Sequence, residues 1–239
     1  ANYCDQVITI PLIPGSALFE INQRRYACDA LLSPEDTALD NLKVLLGTCR
    51  GALVFSGGLY KLKIDKPEVS TFSLTEDNIV GGWNIQLESS QSRFNRVTAN
   101  WINPNTRYQD DVGIVDSATF LIADDDELLE AKIDLPATCN PFRVGHIAGM
   151  VLRQSRYSLQ CEVTCTIEGL TCEVFDVISV THETPGWTNQ LFRVMGITLE
   201  SDDQVRLQLT QYADDVYDLD SQNEEDSPPP TALPDPRVV

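Results

Sequence analysis

Histidine is almost missing from this sequence. The two in 239 residues, His146 and His182, lie far apart with no nucleophile motif beside either, which leaves no basis for a Ser–His or Cys–His pair. A GxSxG elbow, a P-loop, a glycine-rich dinucleotide fingerprint and an HExxH pair are absent too. No apolar run approaches the ~20 residues needed to cross a bilayer. The start, ANYCDQVITIPLIPG, lacks the basic opening and long apolar middle of a secretory signal; it also begins without methionine, so the chain is read as a piece of a longer one. Basic residues are scarce as well. There are 17 Lys and Arg against 36 Asp and Glu, a net charge of −19, and no basic cluster that could release counterions from nucleic acid.

What is present is acid, partly in runs. Asp124-Asp125-Asp126-Glu127 and the stretch from Asp214 to Asp226 read as solvated loop or tail. The first run is not an EF-hand loop, because Leu128 follows Asp124 and Asp126 and the central glycine is missing. Carboxylates are abundant enough to hide a glycosidase pair, but no motif selects one, and the chain is read as non-enzymatic with no cofactor. Seven cysteines are an odd number in a chain too large to need disulfide staples. Cys161, Cys165 and Cys172 do not show the paired spacing of a zinc site. On a strand Cys161, Val163 and Cys165 share one face, which points to buried free thiols, no metal, and assembly in a reducing compartment.

Two helices carry clear punctuation. In SPEDTALDNLKVLLGTC, Ser33 suits the N-cap, Pro34 the first helical position, Asp36 the capping box and Gly47 the left-handed end, with Leu39, Leu42 and Leu46 on one face. In CNPFRVGHIAGMVLRQSRYS, Asn140 caps, Pro141 follows, and Val144, Ile147, Ala148, Val151 and Leu152 form the buried stripe, with the helix expected over 141–156. His146 falls off that stripe and is read as ordinary surface. Before the first helix RRYACDALL reads as a strand, and after it GALVFSGGLYKLKID reads as a hairpin turning at Gly57-Gly58. STFSLTEDNIVGGWNIQLESS suggests two strands with a bend at Gly81-Gly82, and RFNRVTANWINP a strand ending at Asn103-Pro104. Residues 105 to 135 give no decisive pattern. From Leu159 to Tyr212 the text is β, with Val205, Leu207 and Leu209 alternating against polar neighbours.

The expected fold is α+β and mainly antiparallel β, barrel-like, with a small strand–helix–hairpin module and one further helix. The expected division is a module over 1–65, a β-rich body over 66–220, and an acidic, proline-rich linker over 221–239. Proteolysis is expected first in 218–236, which cannot bury enough apolar surface to order itself.

Several of these segments resemble a known family. YACDALL, DNLKVLLGTCRGALVFSGGLYKL, FSLTEDNIVGGWNIQ, SRFNRVTANWINP and DVISVTHETPGWTNQLFRVMGITLESDDQVRLQLTQYADDVYD are similar, in order and spacing, to the tail-tip hub proteins of long-tailed bacteriophages. These are the central tail-fibre or host-specificity proteins of the lambda J type. The resemblance covers about residues 20 to 218. One departure is local: members often carry Gly-Asp where this chain has Phe175-Asp176. The resemblance implies a structural protein of the virion, assembled in the host cytoplasm. It would close the tail tube as a homotrimeric ring, meet other tail-tip and tail-tube proteins, and let DNA slide past without specific binding or membrane insertion. A host-receptor-binding module is the runner-up, and a cell-wall-degrading tail enzyme a more distant one.

HETPGWTNQLF, residues 182 to 192, places Pro185-Gly186-Trp187 at a turn between strands. A large aromatic at a β-turn marks a contact site or a lid folded over its own strands. Trp187, Phe192 and Trp83 are the expected interface residues of the ring.

Overall fold

Asn140-Pro141 opens the longest helix, α3 (Pro141–Gln154), as its punctuation predicts: Asn140 Oδ1 accepts from the backbone N–H groups of Phe142 and Arg143. The computed structural model describes residues 3–11, 20–87, 92–200 and 203–218, so the expected linker over 221–239 lies outside the described residues. The fold is α+β, with antiparallel strands dominant and three α-helices among the described residues. By contacts the described residues divide into two units of interleaved segments, one drawn from residues up to 52 and from 94–152, the other from 53–93 and 153–218.

The first unit contains a hairpin of β1 (Val7–Pro11) and β2 (Glu20–Arg24), helix α1 (Ala38–Gly47), and a three-stranded sheet. In that sheet β7 (Arg96–Asn103) lies between antiparallel β8 (Gln109–Asp116) and parallel β9 (Glu130–Leu135). Helix α3 packs on it. Val144 sits so close to Gly113 of β8 that a Cβ there would stand 3.3 Å from its Cγ1. The core runs through Val97, Ala99, Trp101, Val144, Ile147, Ala148 and Met150. Arg143 donates to the Arg24 carbonyl and Tyr26 Oη reaches Met150 Sδ, which fastens the region after β2 to the helix.

Four expectations need correction in this unit. The strand expected over RRYACDALL ends at Arg24; Tyr26 onward is irregular, tied by Tyr26 N–H to Cys4 O and Asp29 N–H to Ala137 O. Helix α1 starts later than Ser33, because Thr37 and Asp40 form the stronger box: Thr37 Oγ1 accepts from Asp40 N–H and donates to its carboxylate. Ser33 instead accepts from Glu35 N–H in a local turn, and Gly47 is the last helical residue rather than a left-handed cap. His146 is buried, 3% exposed, with its ring 6.1 Å from that of Tyr26. Residues 105–135 hold β8, α2 (Ala118–Ala123) and β9. The acidic run inside them turns through left-handed Asp125 and Asp126 (φ 57° and 62°), a conformation aspartate tolerates where glycine would have signalled it. Asn95 holds that turn, donating to Asp124 and to the Glu127 carbonyl and accepting from Leu129 N–H.

The second unit is a hairpin, β3 (Gly51–Ser56) and β4 (Leu59–Ile64), beside a six-stranded sheet. Gly57 and Gly58 both take positive φ (61° and 79°), as a two-residue turn with the right twist requires. The sheet contains β5 (Phe72–Leu74), β6 (Ile79–Leu87), β10 (Leu159–Thr166), β11 (Val177–His182), β12 (Trp187–Leu199) and β13 (Gln204–Gln211). Their order is β5-β11-β12-β13-β10-β6, antiparallel except for β5 beside β11. Val205, Leu207 and Leu209 face the core with Cys161, Val163 and Cys165 across the β10–β13 register. Gly81-Gly82 lies inside β6, not at a bend between strands. Ile79 to Trp83 oppose only Cys165 to Val163, so the glycines form a bulge.

Candidate functional site

The turn at Pro185-Gly186 is tight. Glu183 to Gly186 link β11 to β12, Gly186 at φ 71° donates its N–H to Glu183 O, and Trp187 is paired with His182. Trp187 does not project from the tip. Its ring lies 5.1 Å from Phe192 and 5.5 Å from Trp83, the latter edge-on, and Trp83 meets His182 at 5.2 Å. Trp83 belongs to edge strand β6, whereas His182 and Trp187 lie several strands away. The sheet therefore curls into a half-barrel whose open seam these rings close. Such edge-to-face pairs add about 0.5–1.5 kcal/mol each beyond buried area.

All three expected interface residues are thus brought together, but not as a free surface. Phe192 is 0% exposed and belongs to the core, so it has no atom to offer a neighbour; that is a correction. Trp83 and Trp187 are half-buried, packed against the same core. The physical reason is the curl. A sequence shows period and turn but not that a distant edge strand returns to cover the tip.

Beside the seam lies a charged group that the sequence did not signal. Arg193 of β12 and Asp65, just past β4, are 6% and 5% exposed and form a buried ion pair. Arg193 Nη2 also donates to the Lys66 carbonyl at 3.0 Å, and Tyr217 Oη donates to Asp65. The guanidinium sits 4.9 Å from the Tyr212 ring and 5.9 Å from Tyr217. Burial works against the guanidinium's charge, but Asp65 outweighs it and the Arg193 pKa is raised. Burial and the neighbouring carboxylate push the Tyr217 phenol up as well. The group joins the end of the hairpin, the middle of β12 and the helical turn Asp214–Tyr217 in one unit.

The hairpin has a second attachment. Lys61 pairs with Glu173, and Lys63 pairs with Glu173 at 2.9 Å and Asp176 at 3.2 Å. Hydrogen bonds from Lys61 and Lys63 hold the Glu173 carboxyl down to about 2. Burial lowers the Lys63 ammonium, but Glu173 and Asp176 prevail and its pKa is raised. Glu173 opens the turn into β11, and Phe175 within it takes φ 79°. The position where the resembled family carries glycine thus demands a left-handed backbone. A bulky residue holds it here, with Phe175 N–H bonded to Val194 O at 2.7 Å and Arg193 5.7 Å from its ring.

Among the described residues no group of His, Cys, Asp and Glu could hold a metal, and no helix is long and apolar enough to cross a membrane. Cys161, Cys165 and Cys172 are free and buried, and burial pushes the Cys161 thiol up to about 12 and Cys172 to about 11.

The chain matches the family described as "Putative phage tail protein" over residues 37–197. It is 22% identical over 201 residues to baseplate hub protein pb3 of Escherichia phage T5, covering 82% of this chain and 21% of that protein. It therefore spans about a fifth of that relative's length. Among solved structures it is similar to a chain of the native gene transfer agent virion, with a TM-score of 0.63 and 11% identity, over 78% of this chain and 42% of that one. It is also similar to the 43 kDa tail protein of prophage MuSo2 from Shewanella oneidensis, with a TM-score of 0.50 and 15% identity, over 87% and 59% of the two chains. At these identities the structural likenesses speak for the fold.

Proposed function

The chain belongs to the phage tail protein family that matches residues 37–197, and from that premise we propose that it forms part of the tail-tip hub. It is a structural protein of the phage tail. The hub closes the end of the tail tube, carries the host-attachment fibre and opens the path for the genome. The observation that carries this reading is the alignment of 82% of the chain with a protein named as a baseplate hub. The acidic balance, −19 overall, agrees with a conduit past which DNA slides without sticking. Several copies, three in this reading, surround the axis and dock on tail-tube and other tail-tip proteins. An interface role for Trp83 and Trp187 belongs to the same proposal.

The role is structural rather than catalytic, and two experiments test it. Immunogold labelling of purified particles with antibody to this chain is expected to mark the distal end of the tail; label along the tube or at the neck would refute the hub assignment. On purified cell-wall sacculi the chain is expected to release no fragments. Hydrolysis abolished by a single carboxylate substitution would overturn the non-enzymatic part.

A further inference from the structure

Four of the seven cysteines, Cys4, Cys28, Cys49 and Cys139, lie outside the buried group. Two of these, far apart in the sequence, are neighbours in the first unit. Tyr3 to Gln6 form a turn closed by Gln6 N–H to Tyr3 O at 3.3 Å. That turn is pinned on the residues just past β2. Tyr26 N–H donates to Cys4 O, Arg25 N–H donates to Gln6 O, and the Arg25 guanidinium stands 4.6 Å from the centre of the Tyr3 ring. Cys49 is held as firmly. Beyond the last residue of α1, its N–H and its thiol both donate to Leu46 O, at 3.2 Å and 3.6 Å. Left-handed Arg50 (φ 51°) then turns the chain towards Gly51. These two anchors bring the Cys4 and Cys49 thiols within hydrogen-bonding reach of each other. Both are half-buried, so small molecules in solution can touch them. Cys165 and Cys172 are neighbours too, but at 0% and 5% exposure they are shut inside the core.

We infer that Cys4 and Cys49 form a redox-modification site, which a small-molecule disulfide such as oxidised glutathione closes to an intrachain disulfide. Two fixed sulfurs in contact can be bridged without backbone movement, a requirement most cysteine pairs fail. The exchange runs in two steps. One cysteine loses its proton, and its thiolate attacks a sulfur of the oxidised glutathione. That S–S bond breaks, one glutathione leaves as thiolate and takes a proton from water, and the other stays on the protein as a mixed disulfide. The second cysteine's thiolate then attacks the protein sulfur, forms the Sγ–Sγ bond and expels the remaining glutathione. The two electrons lost by the pair reduce one oxidised glutathione to two thiols. Burial, and then the neighbouring Cys4, push the Cys49 thiol up, so its thiolate is scarce at neutral pH and closure quickens as pH rises. The bridge ties the segment before β1 to the end of α1. It closes a loop of about 45 residues and removes freedom from the unfolded chain. The setting comes from the tail-protein reading: a particle built in a reducing cytoplasm and released into an oxidising medium meets the oxidant only after assembly. The chemistry does not depend on that reading.

Peptide mapping by mass spectrometry tests it. The reduced native chain is incubated with oxidised glutathione, quenched by alkylation and digested without reductant. The expected main product is the peptide pair linked through Cys4 and Cys49. In Cys4→Ser the Cys49 thiol, and in Cys49→Ser the Cys4 thiol, is expected to stop at the mixed disulfide with glutathione. The oxidised wild type is expected to unfold at a urea midpoint at least about 1 M above that of the reduced chain, a gain absent from both variants. Failure to recover the linked pair overturns the inference. So does a main product in which exposed Cys28 replaces either partner. A bridge that forms without raising the midpoint overturns its role as a lock. None of these failures moves the immunogold label, and label away from the tail tip leaves the bridge standing.

Discussion

Replacing Arg193 by methionine isolates the effect that holds the second unit's separate segments together. Methionine keeps most of the apolar stem and removes the guanidinium. Asp65, 5% exposed, then faces the Tyr217 hydroxyl without its cation. Breaking a buried pair by deleting one partner costs about 3–5 kcal/mol, because the surviving charge stays desolvated. The contact with Tyr212 at 4.9 Å contributes within that figure rather than on top of it. Taking about 4 kcal/mol against a total stability of about 5–15 kcal/mol, the variant loses a large share of its margin. With a urea dependence near 2 kcal/mol/M, the midpoint moves down by about 2 M. Arg193→Met with Asp65→Leu should recover most of the loss, since no lone charge remains. A single-variant shift below about 0.5 M, or a double variant as weak as the single, would refute this reasoning.

Other outcomes follow from the same unit. Trp187→Ala should lower stability by about 2–3 kcal/mol in thermal melting, because the ring packs on Phe192 and Trp83; unchanged melting would return Trp187 to the role of a pure contact residue. Glu173, whose carboxyl is held down to about 2, contributes stability that is complete above its ordinary value near 4.5 and is lost as pH falls towards 2. Urea midpoints should fall through that window in the wild type and fall less in Glu173→Gln; identical slopes would show that the clamp carries no such dependence. Thiol titration of the native chain at pH 8 should leave Cys161, Cys165 and Cys172 unreacted until denaturant is added, while exposed Cys28 reacts at once. Rapid reaction of all seven cysteines would contradict their burial.

Local signals in the sequence translated faithfully where local physics decides the outcome. Asn140-Pro141 caps a helix, Gly57-Gly58 turns a hairpin, and the Val205–Leu207–Leu209 alternation faces a core. Helix α1 starts after the Ser33 pattern because two overlapping cap patterns compete there and the Thr37–Asp40 pair wins. Strand β9 is hidden because the turn from α2 into it uses left-handed Asp125 and Asp126, and β8 because the turn before it uses left-handed Arg107 and Tyr108, where glycines would have announced both. The aromatic seam was half legible: the residues were singled out, but their burial depends on β6 returning beside β11 and β12, a long-range closure with no local trace. The same holds for Asp65 and Arg193, which lie in distant stretches with no local pattern to link them.

The central claim, that this chain sits in the tail-tip hub, is tested most directly by a three-dimensional reconstruction of the distal tail of the intact particle. Density for the second unit's six-stranded half-barrel is expected there, repeated around the tail axis. Placement of that density in the tube wall or at the neck, with none at the tip, would contradict it.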